Sequence, residues 1–175
     1  MRAFLAIPIA ADRLAELPAR IEEHLTLHFF GDLPEERAGA IPAALTSAAQ
    51  EGAPFSIELR GIGAFPTRER PRVLWVGVGE GAEPLVALQG RIEAALAAVG
   101  LPGERRPFQP HVTLFRIHSP HAREHAQRLL ASEGDRSRSF GRVPVDEVVL
   151  FSSRLTPQGA EHRALHRARL GSSPI

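Results

Sequence analysis

The strongest constraint on how this chain folds is a repetition: HLTL at residues 24 to 27 returns as HVTL at residues 111 to 114. The likeness extends to the context. RAFLAIPI (2 to 9) and RVLWVGV (72 to 78) are each an Arg followed by a strand-like apolar run. Each run leads into a segment with helical spacing, and each helix leads into an HxTL strand, the pattern of an internal duplication. In a strand, residues i and i+2 point to one face. His24 and Thr26 therefore share a face, with Leu25 and Leu27 behind, and His111 and Thr113 repeat this with Val112 and Leu114. If an approximate twofold axis relates the copies, both pairs face one cleft. The copies differ in length, with 22 residues from Arg2 to His24 against 39 from Arg72 to His111. So short a connection predicts a loop missing from the numbered chain near Arg20 to Glu22.

The remaining elements follow from spacing and breakers. Residues 2 to 9 read as a buried strand, 12 to 20 as a short helix capped by Asp12, and 24 to 30 as a half-buried strand. An Ala-rich helix spans 34 to about 50, and Pro42 must end, kink or shift it. Strands at 55 to 65 and 72 to 79 are joined by the basic turn PTRERP. A helix covers 84 to 99, a strand 111 to 116, and a helix starting at Ser119-Pro120 runs to about 131. Residues 133 to 142 have the composition of a flexible loop, and strands at 145 to 152 and 162 to 170 close the chain.

Composition bounds the function. The 175 residues, 43% of them hydrophobic, suffice to bury a core as one domain or two intimately packed lobes. No apolar run approaches eighteen residues, so no membrane span is expected. Pro8 and Asp12 make the opening a first strand rather than a leader. The absence of Cys removes disulfides, zinc-thiolate sites and thiol nucleophiles, and it fits a cytoplasmic protein. The net charge is only +1, although all 21 basic residues are Arg. GC-rich coding accounts for that bias as readily as phosphate contact does. Near neutrality argues against broad wrapping of nucleic acid, while TRERPR (67 to 72) and GERRPF (103 to 108) leave room for a small phosphate footprint.

Two imidazoles and two hydroxyls on one cleft suit phosphodiester chemistry. Such a reaction needs a base to activate the attacking oxygen and an acid to protonate the leaving oxygen on the far side of phosphorus. Two histidines with ordinary pKa values near ~6.5 hold opposite protonation states around neutral pH. The Thr hydroxyls donate to the non-bridging oxygens as charge shifts. The scheme requires no metal.

HLTLHFFG and HVTLFR resemble the paired HxTx motifs of the two-histidine phosphoesterase superfamily. RAFLAI, GIGAFPTRERPRVLWVGV and RPFQPHVTLFR are similar to its RNA 2',3'-cyclic phosphodiesterase family, also named 2'-5' RNA ligase. The resemblance implies an α+β fold of two pseudo-symmetric lobes, each an antiparallel β-sheet with outer helices, around a central cleft in a single domain over 1 to 175. It implies hydrolysis of a terminal 2',3'-cyclic phosphate on RNA or oligonucleotide ends to a 2'-phosphate; the chain is expected to be a cytoplasmic monomer without cofactor. His24 would be the general acid and His111 the general base, with Thr26 and Thr113 on the phosphate. Arg116 matches a substrate-contacting Arg, although strand parity sets it opposite His111, so the role needs a bulge or the strand's end. Phe30 and Phe108 are candidates for stacking on a base, with packing the commoner role. His28 shares parity with His24 and is a candidate third polar group at the cleft edge, with an exposed strand-end His the commoner account. The family normally has a longer connection before the first motif than Arg20 to Glu23 allows.

Three other signals compete. HAREH (121 to 125) fits the HxxEH pattern of inverted zinc peptidases, but it sits in the first turn of its helix and no downstream Glu ligand stands out. His162 and His166 lie in a strand, where four residues span ~13 Å, too far for one metal. Gly77-Val78-Gly79-Glu80-Gly81-Ala82 matches a dinucleotide loop, but Glu80 and Glu83 put negative charge where a pyrophosphate would bind, and a strand-to-helix turn is the simpler account. Ligation to a 2'-5' linkage and non-catalytic RNA-end binding in the same cleft remain open alternatives.

Overall fold

The computed structural model describes residues 1–10, 12, 14, 21–103, 105–132 and 138–171. Among the described residues, eight strands are β1 (Arg2–Pro8), β2 (His24–Asp32), β3 (Phe55–Pro66), β4 (Pro71–Val78), β5 (His111–Arg116), β6 (Ser139–Val145), β7 (Glu147–Thr156) and β8 (Gly159–Arg169), and four helices are α1 (Glu35–Ala38), α2 (Ile41–Gln50), α3 (Ala82–Ala98) and α4 (Pro120–Ser132). The strands form two four-stranded sheets, ordered β2-β1-β7-β8 and β5-β4-β3-β6, and every pairing is antiparallel. Read strand for strand, the orders match: the HxTL strand lies at one edge and the apolar strand preceding it lies beside it. The molecule is α+β with two similar lobes.

The duplication is real but shifted by one residue from the alignment of the two Arg residues. Ala6 pairs with Thr26 and Trp75 with Thr113, so Ala6 and Trp75 are equivalent, and Phe4 corresponds to Val73 rather than to Leu74. Arg2 and Arg72 therefore do not hold matching places.

A contiguous core joins both lobes. Leu85, Leu88, Ile92 and Leu96 on α3 recur every three or four residues, are fully or almost fully buried, and each stabilises the fold by about 1.5–3 kcal/mol relative to exposure. Helix α2 packs on β7, β8 and α3, and α4 lies against β4.

Several expectations are corrected. The helix expected over 34 to 50 is two helices separated at Gly39 and Ala40, with Pro42 in the first turn of α2, where no N–H is required of it. The loop expected over 133 to 142 becomes strand from Ser139, because pairing with β3 overrides turn-like composition. The helix expected over 12 to 20 falls mainly outside the described residues, as does residue 20 at the start of the segment where a loop was expected to be missing.

Candidate active site

Both motif strands bulge at the same point. On β5, His111, Val112 and Thr113 face Gly77, Val76 and Trp75 in turn, but the next pairs are Phe115 with Leu74 and Arg116 with Val73, leaving Leu114 without a partner. That extra residue restores Arg116 to the face of His111 and Thr113, the redirection that parity alone forbids. On β2, Leu27 is skipped at the matching point, and a second irregularity skips Phe30. The bulge at Leu27 turns Phe29 toward the cleft opposite Phe4, and His28 inward opposite Leu5. The first motif thus presents Phe29 at the offset where the second presents Arg116.

The two strands meet across a cleft of about 990 Å³ whose walls include His24, Thr26, His111, Thr113 and Arg116. The Glu22 N–H donates to the Thr113 carbonyl at 2.8 Å, tying the approach to the first motif to the strand of the second. Thr113 is buried, and Thr26 is half-buried.

The histidines are oriented differently. His111 Nδ1 lies 2.7 Å from the Gln109 carbonyl oxygen. A carbonyl only accepts, so Nδ1 carries the hydrogen and the lone pair of the neutral ring resides on Nε2. The His111 ring meets Phe65 edge-on at 5.0 Å, with Trp75 at 6.1 Å. Trp75 reaches this position because residue 63 is Gly: a Cβ there would fall 2.3 Å from its indole.

His24 rests on Phe4 at 5.0 Å, with His162 edge-on at 5.2 Å. Its Nε2 lies 3.4 Å from Glu22 Oε2. Burial, then the neighbouring His162, then Arg116 lower its pKa from 6.5 to about 4. The partly exposed Glu22 carboxylate pulls the other way and is outweighed. Together these surroundings favour the uncharged form of His24.

The aromatic and flanking groups are arranged differently from the sequence expectation. Phe108 lines the cleft and packs against the core. Phe30 packs against the core with its ring 4.3 Å from that of His28, whereas its neighbour Phe29 is exposed on the cleft wall, 42% accessible, with the Arg2 guanidinium 5.7 Å from its ring centre. His28 is buried rather than exposed, with Nδ1 2.6 Å from Glu93 Oε1 on α3, because the Leu27 bulge turns it away from the parity of His24. Glu22 and Phe29 were not singled out from sequence, and His162 entered only as half of a metal pair with His166, not as part of the cleft. Phe29 lies at the same offset from His24 as Arg116 from His111, so it had a signal in the spacing, whereas Glu22 precedes strand β2 across a bend at Glu23 and had none.

The competing motifs have local explanations. His125 stacks on Phe115 at 5.3 Å, and no group of three or more metal-ligating side chains occurs among the described residues. A bulge in β8 separates His162, which faces the cleft, from His166, which meets Thr46 on α2 at 2.9 Å. Gly79 and Gly81 are needed for packing: Cβ atoms there would come within 2.6 Å of Glu58 Oε1 and 2.2 Å of the Ser56 carbonyl, and Gly81 has φ +89°.

The sequence pattern of the 2'-5' RNA ligase superfamily matches residues 9–156. A protein of Aeropyrum pernix named RNA 2',3'-cyclic phosphodiesterase is 41% identical over 86% of this chain and 83% of its own length. A protein of the same name from Aquifex aeolicus is 37% identical over 85% and 78%. Among solved structures, TT0787 of Thermus thermophilus superposes with a TM-score of 0.67 at 28% identity, covering 98% of each chain. The apo form of LigT from E. coli, 24% identical with a TM-score of 0.68 over 97% and 96%, shares the fold.

Proposed function

Because the chain belongs to the 2'-5' RNA ligase superfamily, we propose that it hydrolyses the 2',3'-cyclic phosphate of an RNA end or nucleotide to a 2'-phosphate, with His111 as base and His24 as acid. One observation carries this reading: two HxT motifs line one cleft with their imidazoles oppositely prepared. His111 offers a lone pair at Nε2. His24 has its Nε2 beside a carboxylate that favours a hydrogen there.

In the reaction, His111 Nε2 takes a proton from water as the water oxygen bonds to phosphorus. The bond from phosphorus to the 3' oxygen breaks, and His24 delivers a proton to that oxygen, leaving the phosphate on the 2' oxygen. Thr26 and Thr113 donate to the non-bridging oxygens, and Arg116 supplies a charge-assisted contact. The anionic phosphate opposes the groups that discharge His24 in the empty cleft, so substrate promotes protonation of its own acid. Phe29 and Phe108 offer ring faces to the base. No step is routed through a metal or cofactor. One chain supplies both halves of the site, and the reading is of a monomeric cytoplasmic enzyme. Among the described residues no helix is long and apolar enough to cross a membrane.

The test is hydrolysis of adenosine 2',3'-cyclic phosphate in EDTA, with the product isomer read by phosphorus NMR. Turnover to the 2'-phosphate that is lost in His24→Ala and in His111→Ala supports the reading. Turnover surviving both substitutions moves the chemistry elsewhere.

A further inference from the structure

The two halves of the cleft are not equally furnished around their histidines. On the β5 side, the ring contacts of His111 are Phe65 and Trp75. On the β2 side, a second imidazole joins the group. His162 lies on β8 opposite Ser153 of β7, which in turn lies opposite Arg2 of β1. Its ring is edge-on to both His24 (5.2 Å, 85°) and Phe4 (5.1 Å, 82°). The asymmetry has a cause in the topology. In the other lobe, β6 pairs with β3 only over Phe55 to Arg60 and stops short of Phe65, whereas β8 runs beside β7 to Thr156. The β7–β8 hairpin overreaches its sheet and delivers a side chain to the cleft that the duplication does not supply twice.

His162 is exposed on the cleft wall, and its side chain makes no hydrogen bond among the described residues. Packing alone is met as well by Phe, the ring type already present at residues 4 and 151. The imidazole adds a group that carries positive charge when protonated. The charged and titratable groups that share the cleft with His24 are Glu22 from the approach to β2, His28 on β2, Arg116 and His111 from β5, Arg2 from β1, Arg72 from β4, Glu93 from α3, Arg106 from the loop before β5 and His162 from β8. Beside them, β7 contributes Phe151 and Ser153. Apart from Glu22 and Glu93, the latter engaged by His28, all of these titratable groups are cationic or can become so, and two like charges at ~5 Å repel.

We propose that His162 is a positioning residue for His24: its ring edge steadies the His24 ring on Phe4, and its imidazole keeps a proton off His24 until an anionic phosphate enters the cleft. This rests on the assignment of His24 as proton donor. The consequence is a donor that loads with its substrate instead of standing charged in an empty site.

The experiment follows the His24 ring resonances by NMR through a pH titration of the full chain, empty and with adenosine 2'-phosphate, in wild type, His162→Phe and His162→Ala. Turnover of adenosine 2',3'-cyclic phosphate is measured on the same samples. The nucleotide raises the titration midpoint of His24 in wild type. His162→Phe keeps a ring and removes the charge, so the midpoint in the empty protein rises by about half a pH unit. His162→Ala also frees the His24 ring, and its kcat falls about tenfold below that of His162→Phe. An empty-state midpoint unchanged in His162→Phe, or equal kcat in the Phe and Ala variants, overturns the proposal. Absence of turnover in wild type defeats the proposed reaction instead, and the titration still decides whether His162 acts on His24.

Discussion

The Glu22 N–H donates to the Thr113 carbonyl at 2.8 Å, and the Glu22 carboxylate lies 3.4 Å from His24 Nε2, so one residue both joins the lobes and flanks the proposed acid. Glu22→Gln keeps the backbone bond and removes the charge that favours a protonated His24. The His24 pKa then falls further, and turnover drops by up to about fivefold, the scale of a partly exposed ion pair. Kinetics and a His24 titration on the same variant check this; a rise in the His24 midpoint would contradict it.

Acid stability carries the signature of His24. Its pKa is about 4 in the folded protein against 6.5 for an ordinary His. As pH falls below 6.5 the unfolded chain binds this proton first, so stability decreases down to about pH 4, and below that the contribution levels off. The full effect is on the order of 3 kcal/mol. His24→Gln removes the site from both states, so the urea midpoint of that variant declines less than that of wild type between roughly pH 7 and pH 4. Parallel declines would show that His24 does not bear the proton linkage.

Arg116, proposed to hold the phosphate, also bears on His24. Charge-assisted hydrogen bonds contribute about 1.5–3 kcal/mol, so Arg116→Gln is expected to lose roughly 10- to 150-fold in kcat/KM. The same change removes one cause of the lowered His24 pKa, so the His24 titration moves upward. Arg116→Lys restores charge without the planar fork and recovers only part of the loss. Full recovery by Lys would reduce the role of Arg116 to a point charge.

Gly63 sets the floor under the second histidine. In Gly63→Ala the new methyl would lie 2.3 Å from the Trp75 ring, which therefore moves, and Trp75 stands 6.1 Å from His111. The expected cost is about 1–3 kcal/mol in urea unfolding, with a change in the emission of the only Trp in the chain. Unchanged stability and emission would mean that the contact is slack.

Much of this site was legible in the residues. Alternation by two put His24 with Thr26 and His111 with Thr113, and the repeat required a common surface for them. What strict alternation cannot express is an interruption. The bulges at Leu27 and Leu114 change which residues face the cleft after each HxT, and no residue type marks them. The need for one was visible at Arg116, since its expected role conflicted with its parity. The same offset applied to the first copy points to Phe29 instead of Phe30 and turns His28 inward. His162 was beyond such reasoning, because its place depends on how far the β7–β8 hairpin extends past its lobe. The loop assigned to 133 to 142 failed in part for a related reason: strand β6 is held by its partner β3 rather than by its own composition.

The division of labour between the histidines is tested most directly by a nucleoside 2',3'-cyclic phosphate whose 3' bridging oxygen is replaced by sulfur. A thiolate leaves without being protonated, whereas water still has to be deprotonated to attack. The account predicts that His24→Ala, inactive on the oxygen substrate, regains most of the wild-type rate on the sulfur substrate, while His111→Ala remains inactive on both. Rescue of His111→Ala with His24→Ala still inactive would reverse the assignment, and failure to rescue His24→Ala would remove it from the role of proton donor.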